Sequence, residues 1–220
     1  MKRVVMLACS IALAAAGSPC PASAQIAGMP LWNSPKGGTG LTISGDLGFP
    51  DSTGGKGTTY AGRVDLGLQA LSLSATVGGR NPKGPGSTVA EYGGAAAFRL
   101  IGGSLLPVAV NLQGGFGRFR DSSVTHTRFT GALGFAVSVP TPSLDIEPWV
   151  APGFRVSRKG ASGPISSSTD TNFGIAGGVN LGLGLMGVHA GFDYEKLKGG
   201  GHTTTFGVGA HVGLRAPIGM

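Results

Sequence analysis

The sequence predicts an all-β fold: a closed antiparallel up-and-down transmembrane β-barrel of about ten strands, with eight as the alternative count. Three observations carry this. Apolar and polar residues alternate with period two from Thr39 to Ala216, and no segment holds a 3.6-residue period. The connections between the alternating segments are by turns long and polar, then short. Charged residues make up only 12% of the chain, about half of the roughly one quarter usual in soluble domains.

The first element is a leader. Lys2 and Arg3 precede an apolar run from Val4 to Ala16, and a small-residue stretch ends at Ala22-Ser23-Ala24 before Gln25. That is the layout of a secretory signal peptide over residues 1–24 with an A-x-A cleavage site. The run is too short to span a bilayer as a helix, and no later segment offers about 18 uninterrupted apolar residues. Cys9 and Cys20 both fall in the leader, so the remaining chain has no thiol for a disulfide, a metal site or a nucleophile. Residues 25–38, with Pro30, Trp32 and Pro35, are expected to form a periplasmic tail or a short plug, and residues 39–220 the barrel. The length suits one domain. The 42 glycines are dispersed through the alternation, which excludes a collagen repeat and a low-complexity tract.

The barrel segments follow in order. Leu41, Ile43, Leu47 and Phe49 share one face against Thr42, Ser44, Asp46 and Gly48; Tyr60, Val64, Leu66 and Leu68 oppose Ala61, Arg63, Asp65 and Gln69. The rule continues through Leu71–Val77, Tyr92–Leu100, Leu106–Leu112, Phe129–Val139, Leu144–Val156, Phe173–Leu183, Val188–Tyr194 and Thr204–Ala216. The expected long loops are Pro50–Gly57, Arg80–Ser87, Arg120–His126, Lys159–Asp170 and Lys198–His202; the expected short turns lie at Ala70, Gly102–Ser104, Pro140–Ser143 and Gly184–Leu185. Long loops on one rim and tight turns on the other, with both termini on the turn side, is the layout of barrels that cross an outer membrane.

Alternation alone does not say which face meets water, and a soluble lipocalin-like binder with an apolar interior is the competing architecture. The polar face decides against it. A water-facing exterior needs Lys and Glu spread over it, whereas this face is mostly Gly, Ala, Ser and Thr. Its sparse charges, Asp46, Arg63, Asp65, Glu91, Arg99, Glu147, Arg155, Asp193, Glu195 and Arg215, come in both signs and are expected to pair across the lumen. Phe49, Tyr60, Phe116, Phe129, Phe154, Phe173, Phe192, Tyr194 and Phe206 fall toward the long-loop ends of their segments, as an aromatic girdle at headgroup level would.

In this layout the chain resembles the small bacterial outer-membrane β-barrel proteins, the superfamily of opacity-type proteins and OmpA-like barrels, over roughly Thr39 to Ala216. The stretch Glu147-Pro148-Trp149-Val150-Ala151-Pro152-Gly153 is similar to their Pro-aromatic-glycine strand motif. The chain departs from that pattern at its end, which runs Leu214-Arg215-Ala216-Pro217-Ile218-Gly219-Met220 without a terminal aromatic. The resemblance implies export to the outer membrane and contact with its lipid, lipopolysaccharide and the barrel-assembly machinery. The expected protein is a monomeric, non-enzymatic barrel with a structural, surface-interaction or narrow-pore role, and with no aromatic platform or recognition helix no nucleic-acid partner is expected.

Chemistry-bearing residues are few. A rim-located hydrolase acting on lipid or peptide would draw on His126 near Asp121, or on His202 with Asp193 and Glu195, because a general base needs an orienting carboxylate. His189 and His211 share the inward face and offer two imidazoles without a third ligand at metal-site spacing. Satisfied lumen histidines are the simpler expectation, and neither a catalytic residue, a metal nor a cofactor is expected. Lys56, Arg80, Lys83, Arg120, Arg158, Lys159 and Lys198 place positive charge in the long loops, where solvation alone accounts for it or an anionic surface adds to it. Gly54-Gly55-Lys56-Gly57 lacks phosphate-loop spacing and precedes a strand, so it is expected to be a hairpin loop.

Overall fold

The computed structural model describes residues 26–83, 88–103, 106–121, 124–161 and 166–214. The leader, Gln25, Arg215 and the chain end lie outside them.

Eleven strand segments are present among the described residues: β1 (Thr39–Pro50), β2 (Gly57–Leu68), β3 (Leu71–Pro82), β4 (Val89–Gly103), β5 (Leu106–Asp121), β6 (Val124–Val137), β7 (Val139–Pro140), β8 (Asp145–Lys159), β9 (Ser168–Leu183), β10 (Met186–Lys196) and β11 (His202–Leu214). Consecutive strands pair antiparallel, except β6 and β7, which both pair with β8. β1 also pairs with β11, from Leu41 opposite Leu214 to Pro50 opposite Thr205, which closes the sheet. Closure leaves no unpaired edge, the condition for a sheet to sit in lipid.

The barrel has ten staves, because β6 and β7 form one. Both pair with β8, and Ala132 opposite Gly153, Phe135 opposite Val150 and Val139 opposite Ile146 keep a single register. The ladder is interrupted where Pro152 and Pro148 fall in β8. A proline has no N–H to give, so the pairing lapses there and resumes. A bulge in β4 between Arg99 and Ile101 turns Leu100 and Ile101 both outward.

Turn chemistry follows the rim. On the short side Gln69, at φ 64°, makes the two-residue link from β2 to β3, and Gly184 does the same between β9 and β10. On the long side Gly199, Gly200 and Gly201 all have positive φ, a conformation that a side-chain-bearing residue would adopt only under strain. One expected loop is corrected. Arg120–His126 is not a long loop, since β5 runs to Asp121, β6 restarts at Val124, and Phe119 pairs with His126 and Arg120 with Thr125. Thr125 and Thr127 alternate with Val124 and His126, so the strand period simply continues beyond the apolar band. With β4, β5, β6, β8 and β9 longer than β1, β2 and β3, this wall of the barrel stands taller on the long-loop side.

Alternate residues of every strand face lipid or lumen. Ile43, Val64, Val77, Leu112, Phe154, Val188 and Phe206 lie outside and are 43% to 65% exposed, while Ser44, Asp46, Asn111, Glu147 and Arg155 are buried inside. A soluble protein does not leave a continuous apolar exterior around a polar interior, whereas a bilayer requires one.

Candidate functional site: the occupied lumen

The largest fully buried apolar side chains belong to no strand. Ile26, Met29 and Leu31 are at most 3% exposed, Pro30 and Pro35 are fully buried, and they lie inside the barrel. Leu31 packs with Ala132, Ala136, Trp149, Ala151 and Ala176, while Ile26 and Met29 pack on Ala61; Trp32 touches both groups. Residues 26–38 are therefore a plug. It runs from the long-loop half, where Gly28 lies against Pro50 and Thr59, to the turn side, where Gly37 meets Gln69 and Ser72 before β1 begins.

A chain without partners inside a barrel would leave its peptide groups unsatisfied, and here the wall supplies partners along its length. The Ala27 amide donates to Glu91 Oε2 at 2.6 Å and the Ala27 carbonyl accepts from Thr59 at 3.1 Å. Asn33 and Asn111 exchange reciprocal amide bonds of 3.2 and 2.8 Å, and Asn180 donates to the Asn33 carbonyl. Ser34 donates to Glu147, Arg99 donates to the Lys36 carbonyl at 2.7 Å, and Lys36 pairs with Asp145 at the turn-side rim.

Of the charges expected in the lumen, those among the described residues lie there, in clusters. Arg63 bridges Asp46 and Asp65, both at 3.1 Å. Arg155, fully buried, pairs with Asp193 at 2.7 Å, and Glu195 accepts from Arg128 at 2.5 Å and from Asn172 at 2.6 Å. Glu91 has Arg80 at 3.5 Å, and Glu147 is held by Ser34 and Asn180. Arg99 serves the plug instead of a carboxylate. Sequence reading missed Arg128 and assigned Arg80 to a loop. Parity could have found Arg128, which alternates with the outward Phe129 in step with the inward Thr130 and Ala132.

His189 and His211 meet, with Nδ1 atoms 3.2 Å apart, and His189 Nε2 lies 2.6 Å from Asp46. The ring centroids are 5.5 Å apart and the planes 23° from parallel. Adding a ring radius of about 1.1 Å on each side to the nitrogen separation recovers the centroid distance, so the two nitrogens point at each other along a hydrogen bond. That is the geometry of a hydrogen bond from one imidazole to the other, the tautomers deciding which donates. Trp32 sets its edge against His189 at 4.6 Å. Among the described residues no group of three or more His, Cys, Asp or Glu is arranged to hold a metal.

The rim constellation expected around His202 does not form. His202 stacks on Tyr194 on the outer face, whereas Asp193 and Glu195 turn into the lumen and are engaged by Arg155 and Arg128. One-residue offsets in a strand put side chains on opposite faces. His126 points inward with its ring flat on Phe119 at 4.5 Å, and Asp121, on the same face of the neighbouring strand, is near enough to act on it electrostatically.

Phe49, Tyr60, Phe116, Phe129, Phe154, Phe173, Phe192, Tyr194 and Phe206 all point outward in the long-loop half. Phe49 faces Phe206, which faces Phe192; Phe116 faces Phe129; Phe154 faces Phe173. Beside the plug a cavity of about 360 Å³ remains toward the turn side, lined by Lys36, Ser44, Arg63, Asp65, Glu147 and His211 among others.

No family model matches the chain, and no curated protein matches it. Solved barrels resemble it at low identity. The N-terminal β-barrel domain of Pseudomonas aeruginosa OprF is 14% identical with a TM-score of 0.39, the alignment covering 80% of this chain and 98% of that one. Neisserial surface protein A is 11% identical with a TM-score of 0.38 over 80% and 98%; the translocator domain of the autotransporter NalP from Neisseria meningitidis is 14% identical with a TM-score of 0.45 over 80% and 89%. On its own closed topology, apolar exterior and polar, occupied interior, the chain is a small transmembrane β-barrel of the outer-membrane kind.

Proposed function

We propose that this protein is an integral outer-membrane barrel held closed by its own N-terminal segment, and that it serves as a structural, surface-presenting protein and not as an open pore or an enzyme. The observation that carries this is the plug, whose hydrogen bonds reach β2, β4, β5, β8 and β9 and whose apolar side chains fill the bore. A barrel of this strand number has little interior to spare, and the plug takes most of it. Export by a cleaved leader, assembly by the barrel-insertion machinery, a monomeric state and contact with lipid and lipopolysaccharide belong to the same reading, and nucleic acid has no place in it.

A narrow pore is the second reading, favoured by the cavity on the turn side. Planar-bilayer recordings of the refolded mature protein and of a form lacking residues 26–36 separate the two. The closed-barrel reading expects a silent wild type and a conducting deletion. Steady wild-type conductance establishes the pore instead, and a silent deletion shows that the plug is not what closes the barrel. Fractionation, with heated and unheated gel mobility, checks the membrane barrel independently.

A further inference from the structure

The outer wall carries a cationic groove that the lumen does not explain. In the tall part of the barrel, one lateral row of outward residues reads Tyr92, Arg118, Thr127, Arg158 and Thr169 across β4, β5, β6, β8 and β9. Arg118 and Arg158 flank Thr127 on either side, so their backbones are about 10 Å apart at the usual strand spacing. Together with Thr125, Phe129 and Gly160 they line a groove of about 270 Å³. Gly160, bonded through its amide to the Thr125 carbonyl, leaves the upper end without a side chain.

The level of this groove identifies its solvent. The next outward row toward the bilayer centre is Phe116, Phe129 and Val156, part of the aromatic girdle that marks the headgroup boundary. The guanidiniums therefore sit one step above the girdle, on the exterior, at the depth of lipid phosphates. The carboxylates nearest in the chain, Asp121 and Asp170, fall on the lumen parity of their strands, in step with Phe119 and with the buried Asn172. Guanidiniums are suited to phosphate, which they grip with paired N–H donors, and the Thr125 and Thr127 hydroxyls between them add neutral donors.

We infer that Arg118, Thr127 and Arg158 form a binding site for the phosphate of a phosphorylated glycolipid of the long-loop leaflet, the acyl chains lying down the Phe129 side of the wall. This rests on the outer-membrane reading above. It goes further in naming the lipid class and the residues, and in separating this row from the general positive charge of the loops.

The test uses the mature protein refolded in detergent and titrated with bis-phosphorylated lipid A, bound lipid being counted by native mass spectrometry. Arg118→Gln with Arg158→Gln is expected to weaken binding by about a hundredfold, about tenfold per charge-assisted contact, and dephosphorylated lipid A is expected to bind wild type as weakly. Thr127→Val keeps both charges and is expected to cost severalfold. Lys56→Gln with Lys83→Gln, which removes two loop charges, is expected to leave binding unchanged. Equal binding by the arginine double variant, an equal loss in the lysine double variant, or displacement by millimolar inorganic phosphate would overturn the site. Heated and unheated gel mobility reports the barrel separately, so failure of the lipid site is distinguishable from failure of the membrane reading.

Discussion

Gly134 of β6 faces the lumen where the plug is pinned, and a Cβ there would land on the side-chain amides of Asn33 and Asn111. Those amides are the ends of side chains, so they give way before the backbone does. Gly134→Ala then breaks the reciprocal pair, at 3.2 and 2.8 Å two of the bonds seating the middle of the plug. At about 1 kcal/mol for each net hydrogen bond the loss is about 2 kcal/mol, which shifts the balance between seated and released plug about thirtyfold. The barrel itself keeps its ladder, because the Gly134 backbone still pairs with Asn111. Hydrogen exchange should quicken about thirtyfold in residues 26–36 while β1 and β11 stay protected. Unchanged exchange in the plug would refute the reasoning, and so would equal loss of protection throughout the barrel.

Three further outcomes follow from the same contacts. Arg155→Met strips a buried partner from Asp193 and should cost about 3 kcal/mol in urea unfolding; adding Asp193→Leu should recover most of it, and no recovery would mean that the pair is not the source of the loss. Asp51, in the β1–β2 loop, is subject to some burial that raises its pKa, but bonds from the Gly54 and Thr204 amides and the Thr203 hydroxyl outweigh this and hold the carboxyl below its ordinary 3.8. Its stabilisation is thus present above pH 3.8 and lost as the pH falls through the lower folded value, so exchange at the Gly54 and Thr204 amides should rise only in that acid range, and Asp51→Asn should remove the pH dependence. His189→Leu removes the bonds to Asp46 and His211 and the ring against Trp32; about 2 kcal/mol of stability should go, and tryptophan emission should shift, an unshifted spectrum locating Trp32 elsewhere.

The wall was legible in the sequence because strand parity is a local property. Leu41 to Phe49 and Tyr60 to Leu68 state their faces without any tertiary information, and the paired histidines follow once β10 and β11 are neighbours. Arg120–His126 was misread because polar residues were taken as the sign of a loop, although Thr125 and Thr127 on the outer face suit a strand rising beyond the bilayer. The same habit hid Arg118, whose outward position follows from Phe116 two residues earlier. The plug was legible only as one of two options. Ile26, Met29 and Leu31 show no period, and nothing local says whether such a segment hangs below the barrel or enters it.

The glycines supply what the plug sequence does not. Several inward positions are occupied by glycine where a side chain would meet the plug: at Gly48 it would strike the Gly28 carbonyl, at Gly207 the Pro30 ring at 2.7 Å, at Gly191 the Trp32 ring at 3.0 Å, and at Gly134 the Asn33 amide. Three lie on the adjacent strands β1, β11 and β10 and the fourth on β6 across the bore, so they do not form a stripe along one strand. Glycine weakens a strand interior by leaving nothing to pack, and a barrel with an empty bore would gain from larger residues at these sites. Their presence makes sense if the space is spoken for. The glycine content that first excluded a collagen repeat and a disordered tract is thus, at these positions, the imprint of a bound segment on the wall that binds it, and the plug is part of the fold and not a tail that happens to lie inside.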